Sequence, residues 1–323
     1  MFDVAAIGEL LIDFTPSGLS QAGNELYEKN PGGAPANVLA SLSKFGRSVA
    51  FLGMIGNDGF GKYLRETLMD AGINTSALKV TDKANTTLAF VHLNSNGDRS
   101  FSFYRNPGAD MMISVEDLDY SIVTNSKIFH FGSVSMTHEP SRTATLHAVT
   151  AAKDNGALIS YDPNFRAPLW DDKAFAKEVI LKGMELADLV KISGEELLFL
   201  TGTNDLSEGS RILFKSYNIK LLFVTLGPEG CFYRFGDKTG CAPTYDVKTI
   251  DTTGAGDAFL AGVLYKLLED KLDIEHISSS EMENIVDFAN AVGSLATTKR
   301  GAIPSMPVIS DVYSCICSVG KLL

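Results

Sequence analysis

The chain reads as an α/β protein: a doubly wound, mostly parallel sheet in three layers, with a small β-sheet lid. Three observations predict this. Strand-like apolar runs alternate with segments whose apolar residues recur at helical spacing, the pattern of a parallel sheet covered by helices on both faces. Two segments, about 14–31 and 84–105, break that rhythm with strand-like runs that no helix follows. The 323 residues, 45% of them hydrophobic, suffice for a large core.

In order along the chain, "DVAAIGELLIDF" reads as one buried opening strand. "PANVLASLSKFG" reads as a helix, with Pro35 in its first turn, Val38, Leu39, Leu42 and Phe45 on one face, and Gly46 ending it. "VAFLGMIG" is a strand and "GKYLRETLMDAG" a helix closed by Gly72. Two strand-like runs then flank "NSNGD", a hairpin signal. The alternation resumes with strand "KIFHFGSV", helix "PSRTATLHAVTAAKDNG", strand "ALISYDPN", helix "FAKEVILKGMELA" and strand "DLVKIS". Helical "GEELLFLTG" and "GSRILFKSYN" lead to strand "LLFVTLG", and "GCFYRF" and "YDVKTID" complete the β stretch. "GAGDAFLAGVLYKLLED" and "MENIVDFANAVGSLATTKR" are the last strong helices. No internal repeat or low-complexity linker divides residues 1–323, so one domain is expected, its lid formed from the two insertions.

The charge balance narrows the possible partners. The net charge is −11 and the pI about 5.0, with no long basic block, so nucleic acid is not an expected partner. The amino terminus carries Asp3, Glu9 and Asp13 and lacks a basic leader, unlike a signal peptide. No apolar run reaches the roughly eighteen residues of a membrane span. Cys231, Cys241, Cys315 and Cys317 show neither CxxC spacing nor a histidine partner at zinc-finger spacing, and read as reduced thiols of a cytoplasmic protein.

Three segments compete as phosphate binders. "GNDGFGKY" satisfies G-x-x-x-x-G-K with Gly56, Gly61 and Lys62, but Tyr63 stands where a Walker loop needs Ser or Thr. A tight glycine turn fits it better. The first strand runs into "GELLID" with no G-x-G-x-x-G, which removes the usual dinucleotide fingerprint. The third is "DTTGAGDAFLAG". Phe259, Leu260, Val263, Leu264, Leu267 and Leu268 form one helical stripe, so a helix begins near Gly254. The backbone N–H groups of Gly254, Ala255 and Gly256 then point outward from a positive helix end, an anion hole that small residues let a phosphate approach. Asp257 on its rim would repel the anion but could take a proton from a nucleophile attacking phosphorus. On spacing alone, a first-turn carboxylate balancing the helix dipole is an equal reading.

A second glycine pair favours the chemical reading. In "NPGGAPANV", Gly32 and Gly33 precede a helix start with Asn37 one turn in, and Asp13 ends the first strand upstream. Taken singly, Asp13 is a loop residue and Asn37 an exposed helix polar. Together with Arg105, Asn164 and Arg166, which all follow strand-like runs where open α/β sheets bind ligands, they form a candidate sugar-binding set.

"GGAPAN" and "DTTGAGDAFLAG" resemble the two signature segments of the ribokinase-like (PfkB) carbohydrate kinases, and the likeness runs from "GELLID" to "KRGAIPSMP". "FYRNPGAD", "YDPNFRAPLW" and "VKISGEELLFLTG" resemble the fructokinase branch most. The resemblance implies phosphoryl transfer from ATP to the 6-hydroxyl of D-fructose, with Asp257 as base and Gly254, Ala255 and Gly256 as the anion hole. It implies sugar contacts from Asp13, Gly32, Gly33, Asn37, Arg105, Asn164 and Arg166. Nucleotide contacts are implied for Thr225, Gly227, Gly230 and Asn290. Glu196 matches the glutamate of an N-x-x-E segment that organises Mg2+ through water, although Ser193 replaces its asparagine. Asp251, Thr253, Ala296, Lys299, Gly301 and Ser305 match a monovalent-cation site, for which K+ is the expected ion. Leu39 departs from the small residue usual in the first signature and implies a packing difference only. A 2-keto-3-deoxygluconate kinase of the same family and a non-catalytic sugar sensor are the alternatives. A homodimer through the lid is expected, since pairing would cover open sheet edges.

Overall fold

A computed structural model describes residues 1–93 and 99–322. The elements run β1 (Phe2–Ile7), β2 (Leu11–Leu19), β3 (Glu25–Gly32), α1 (Ala34–Lys44), β4 (Val49–Gly56), α2 (Gly59–Asp70), β5 (Leu78–Thr81), β6 (Leu88–Leu93) and β7 (Arg99–Tyr104). There follow α3 (Tyr120–Val123), β8 (Ser126–Gly132), α4 (Ser141–Asp154), β9 (Leu158–Asp162), α5 (Lys173–Leu186), β10 (Leu189–Ser193), α6 (Gly194–Thr201) and α7 (Leu206–Ser216). The chain ends with β11 (Leu221–Thr225), β12 (Cys231–Phe235), β13 (Lys238–Ala242), α8 (Ala255–Glu269), α9 (Ser279–Ala296) and α10 (Ile309–Ser318).

Among the described residues the larger sheet has nine strands in the order β13-β12-β11-β10-β9-β8-β1-β4-β5. From β11 to β5 every neighbouring pair is parallel, and β12 enters antiparallel to both of its neighbours. Alternate residues of each strand feed two cores. Val4 and Ala6 of β1 and Leu221 and Phe223 of β11 face α1, α2, α8, α9 and α10. Ala5 and Ile7, with Leu222 and Val224, face α3 to α7. Burial on both faces is what makes these strands read as continuous apolar runs.

The smaller sheet has the order β3-β2-β6-β7 and is built from the two stretches that broke the sequence rhythm. The hairpin signal Asn94–Asp98 lies outside the described residues, but the β6 and β7 runs that flank it pair antiparallel. Two sequence expectations need correction. "DVAAIGELLIDF" is not one strand: the chain turns at residues 8–10, leaving β1 in the large sheet and starting β2 in the small one. Both halves are apolar, so hydrophobicity could not show the break. "YDVKTID" is not a strand either. The sheet ends with β13, and beyond an isolated Tyr245 bridge to Lys321 the segment is held where Ile250 and Asp251 donate their N–H groups to the Thr297 carbonyl. No helix among the described residues is long and apolar enough to cross a membrane.

Candidate active site

The carboxyl ends of β1, β9 and β10, the amino ends of α1 and α8 and one face of the smaller sheet enclose a cleft of about 550 Å³, where ligands settle in open α/β sheets. The rejected glycine turn is far from such a role. Asp58 caps α2, accepting from Phe60 N and Gly61 N at 3.0 and 2.8 Å and from Thr86 N at 2.7 Å. Its carboxylate fills the helix start that a phosphate loop would leave open.

At α8 the helix start is open. Gly254 is the N-cap in the left-handed region, φ 78°, and no side chain caps the helix. A Cβ at 254 would lie 2.8 Å from the Ala302 Cβ, so both the backbone sign and the close packing call for glycine here. Among the described residues no side chain takes the first N–H groups of α8; Gly254 and Gly256 line the cleft, and Ala255 N reaches the Thr252 carbonyl at 3.2 Å, so the helix start offers an anion site.

Asp257 sits in that first turn, buried, its Oδ2 accepting from Asn37 Nδ2 at 2.8 Å. Burial, reinforced by Asp162, pushes its pKa up to about 6, because desolvation and a like charge both favour the neutral acid. Asn37 is therefore buried and not the exposed helix polar that its position alone suggested; its Oδ1 is buried with no partner among the described residues. Asp13 on β2 shares the cleft and is likewise pushed up to about 6 by burial, with Arg166 opposing and Asp251 and Asp257 adding to the rise. The Asp13 carboxylate packs where a Cβ on Gly32 would stand, which explains the glycine; Gly33, φ 126°, caps α1 and admits the Glu9 carbonyl in the same way.

Asn164 and Arg166 both line the cleft from the loop after β9, the Arg166 guanidinium exposed at the rim. Arg105 is not brought there. It is buried behind the cleft, donating from Nε to Asp110 at 2.8 Å, from one terminal nitrogen to Thr137 Oγ1 at 2.8 Å and from the other to the Val134 carbonyl at 3.1 Å. Its guanidinium is thus held by three protein partners.

Ser193 and Glu196 line the far wall as a reciprocal cap on α6. Ser193 N donates to Glu196 Oε2 at 2.7 Å, Glu196 N donates to Ser193 Oγ at 3.1 Å, and Phe165 N donates to Glu196 Oε1 at 2.7 Å. Thr225 is in register beside Ser193 at the end of β11, and Gly227 and Gly230 follow in the turn between β11 and β12; none of the three lines the cleft. Asn290 on α9 donates to the Ala242 and Pro243 carbonyls, both at 3.1 Å. Beside Gly254, Asp251 accepts from Thr253 N at 3.0 Å and Gly301 N at 3.1 Å, tying the 251–253 loop to the 296–305 segment that contains Ala296, Lys299, Gly301 and Ser305. Leu39 is fully buried in the α1 core.

Two buried charged residues of the cleft escaped the sequence reading. Glu9 is buried, accepts from Ala34 N at 2.8 Å and is pushed up to about 7, chiefly by burial. Lys191 is a buried cation in the central strand β10, 2.9 Å from Asp162. A charged residue inside "LVKIS" was the available signal.

A sequence profile of pfkB family carbohydrate kinases matches residues 1–309. A probable fructokinase-4 of Arabidopsis thaliana is 42% identical over 96% of this chain and 95% of its own. Among solved structures, fructokinase with bound ATP from Xylella fastidiosa superposes with a TM-score of 0.90 at 35% identity, covering 98% of this chain and 99% of that one. A Vibrio cholerae fructokinase variant in a fructose-, ADP- and potassium-bound form gives 0.87 at 33% identity, with 98% of both chains covered.

Proposed function

The chain belongs to the pfkB family of carbohydrate kinases, and from that premise we propose that it transfers the γ-phosphoryl group of ATP to the 6-hydroxyl of D-fructose. The observation that carries this reading is Asp257: a buried carboxylate of raised pKa, tethered by Asn37, at the open amino end of α8. A base with a pKa near the working pH is suited to taking the hydroxyl proton. The O6–H proton passes to Asp257, the O6–P bond forms, and the bond from phosphorus to the bridging oxygen of ADP breaks. Charge gathers on the equatorial phosphoryl oxygens, where the N–H groups of Gly254, Ala255 and Gly256 stabilise it.

Asp13, Asn37, Asn164, Arg166 and the backbone at Gly32 and Gly33 hold the sugar; the unpartnered Asn37 Oδ1 is an acceptor ready for a sugar hydroxyl. Arg105 acts from behind, fixing the loop with Asp110. Thr225, Gly227, Gly230 and Asn290 lie along the nucleotide path. Both Glu196 oxygens already accept backbone N–H groups, which suits an outer-sphere hold on Mg2+ through water with Ser193 beside it. Mg2+, when bound, neutralises phosphate charge. The loops joined by Asp251 suit K+ through main-chain carbonyls of Thr253, Ala296, Lys299, Gly301 and Ser305. The smaller sheet, one face of which lines the cleft, acts as a lid that keeps water from competing as acceptor. The one-domain organisation of residues 1–323 goes with this reading.

A ketodeoxygluconate substrate would need a cation for its carboxylate, and with Arg105 committed to Asp110 that duty would fall on Arg166. A panel of fructose, ribose, ketodeoxygluconate and nucleosides, each with MgATP, tests the proposal. Fructose should give the highest kcat/KM and fructose 6-phosphate as product by NMR. Preference for another acceptor, or phosphate at another carbon, would refute it.

A further inference from the structure

We propose that Lys191 is a catalytic residue of the transfer: its ammonium contacts the migrating phosphoryl group beside the amino end of α8, and Asp162 is its positioning residue. This deepens the reading of the cleft as a phosphoryl-transfer centre and rests on it. Four observations carry it.

The first is direction. Along β10, Val190 and Ile192 face one core while Leu189 faces the core that contains α8, and strict alternation puts Lys191 on the α8 side. The second is position. A Cβ built on Gly256 would come within 2.8 Å of Lys191 Nζ, so the ammonium stands against the backbone of the anion hole. The third is unused capacity. Among the described residues its hydrogen-bond partner is Asp162 Oδ2, at 2.9 Å, while an ammonium has three donors, and Lys191 lines the cleft. The fourth is charge. The cleft is lined by Glu9, Asp13, Glu195, Glu196 and Asp257, against which Arg166 and Lys191 are the cations. A cation standing where the phosphates meet the acceptor offsets that acidity on the protein's side. Burial works against the charge on Lys191, but Asp162, Glu196 and Asp257 outweigh it and hold its pKa above the ordinary lysine value. Asp162 fixes the arrangement, its other oxygen accepting from Asn164 N at 3.0 Å.

A buried ion pair can be purely structural, so the test separates the two roles. Lys191→Met keeps the stem and removes the charge. Its kcat with fructose and MgATP should fall by about 10²–10³-fold, the scale of losing one transition-state donor, while fructose affinity by calorimetry changes less than about threefold. Exogenous methylamine should restore part of the turnover of Lys191→Ala, a rescue that a structural pair would not give. Asp162→Asn should lower kcat more than it raises either KM. Retention of kcat within about threefold in a folded Lys191→Met, or absence of amine rescue, would overturn the assignment. Should the unaltered protein phosphorylate no sugar, the underlying reading fails separately. Binding of MgADP with tetrafluoroaluminate then decides the role of Lys191 alone: weaker binding in Lys191→Met than in the unaltered protein supports it, equal binding refutes it.

Discussion

Asp257 owes its basicity to where it is buried. With its pKa raised to about 6, it is half-protonated at mildly acidic pH, and only the deprotonated form can accept the hydroxyl proton. The value of kcat/KM for fructose at saturating MgATP should therefore rise from pH 5 to pH 7 with a midpoint near 6; a flat profile over this range would contradict the assignment. The same shift has a stability sign. A carboxyl whose pKa is raised by folding stabilises the fold fully below its unfolded value near 3.8, and that contribution is lost as pH rises through about 6. Asp257→Asn should accordingly raise the melting temperature of the ligand-free protein by about 2–4 °C at pH 7.5 and by less at pH 5, read by calorimetry at both pH values. At this scale the sequence was partly legible. Asp257 announced itself through the glycine run before it and the apolar stripe after it. Lys191 and Glu9 did not, because a single charged residue inside an apolar run gives no hint of which face it takes or what meets it there. Arg105, expected as a sugar contact, lies outside the cleft lining, and the sequence did not show that Asp110, Thr137 and the Val134 carbonyl hold its guanidinium.

The elements were easier to read than their assembly. The α1, α2, α5, α8 and α9 helices carried both periodicity and terminal signals: Asp58, Asp172 and Ser278 cap α2, α5 and α9. What failed was the switch between sheets at residues 8–10, where apolar character continues across a change of partner, and the segment after β13, whose order comes from contacts with Thr297. The α10 helix was not read at all. Two predictions belong to elements. Gly254→Ala forces a side chain into φ 78° against Ala302; it should cost about 1–3 kcal/mol in denaturant unfolding and lower kcat more than tenfold, whereas an unchanged kcat would argue against the anion hole. Strands β2, β3, β6 and β7 should exchange their amide hydrogens more slowly when fructose is bound. Equal exchange with and without sugar would remove the lid.

For the whole molecule, the decisive fact is convergence. Asp257 and Gly254 come from the start of α8, Glu196 from the first turn of α6, Lys191 from strand β10 of the large sheet, and Asp13 from the small sheet, over 240 residues away from Asp257 in sequence yet in the same cleft. Leu19, Leu26 and Tyr104 are large exposed apolar residues of the small sheet, and a homodimer formed there should appear as a concentration-dependent species in sedimentation velocity; a monomer at all concentrations would exclude it. The most direct test is the turnover of Asp257→Asn with fructose and MgATP, measured beside calorimetric binding of each ligand. Turnover should drop by about 10²–10⁴-fold with both ligands still bound. Turnover equal to that of the unaltered protein would mean that the acceptor's proton leaves by another route.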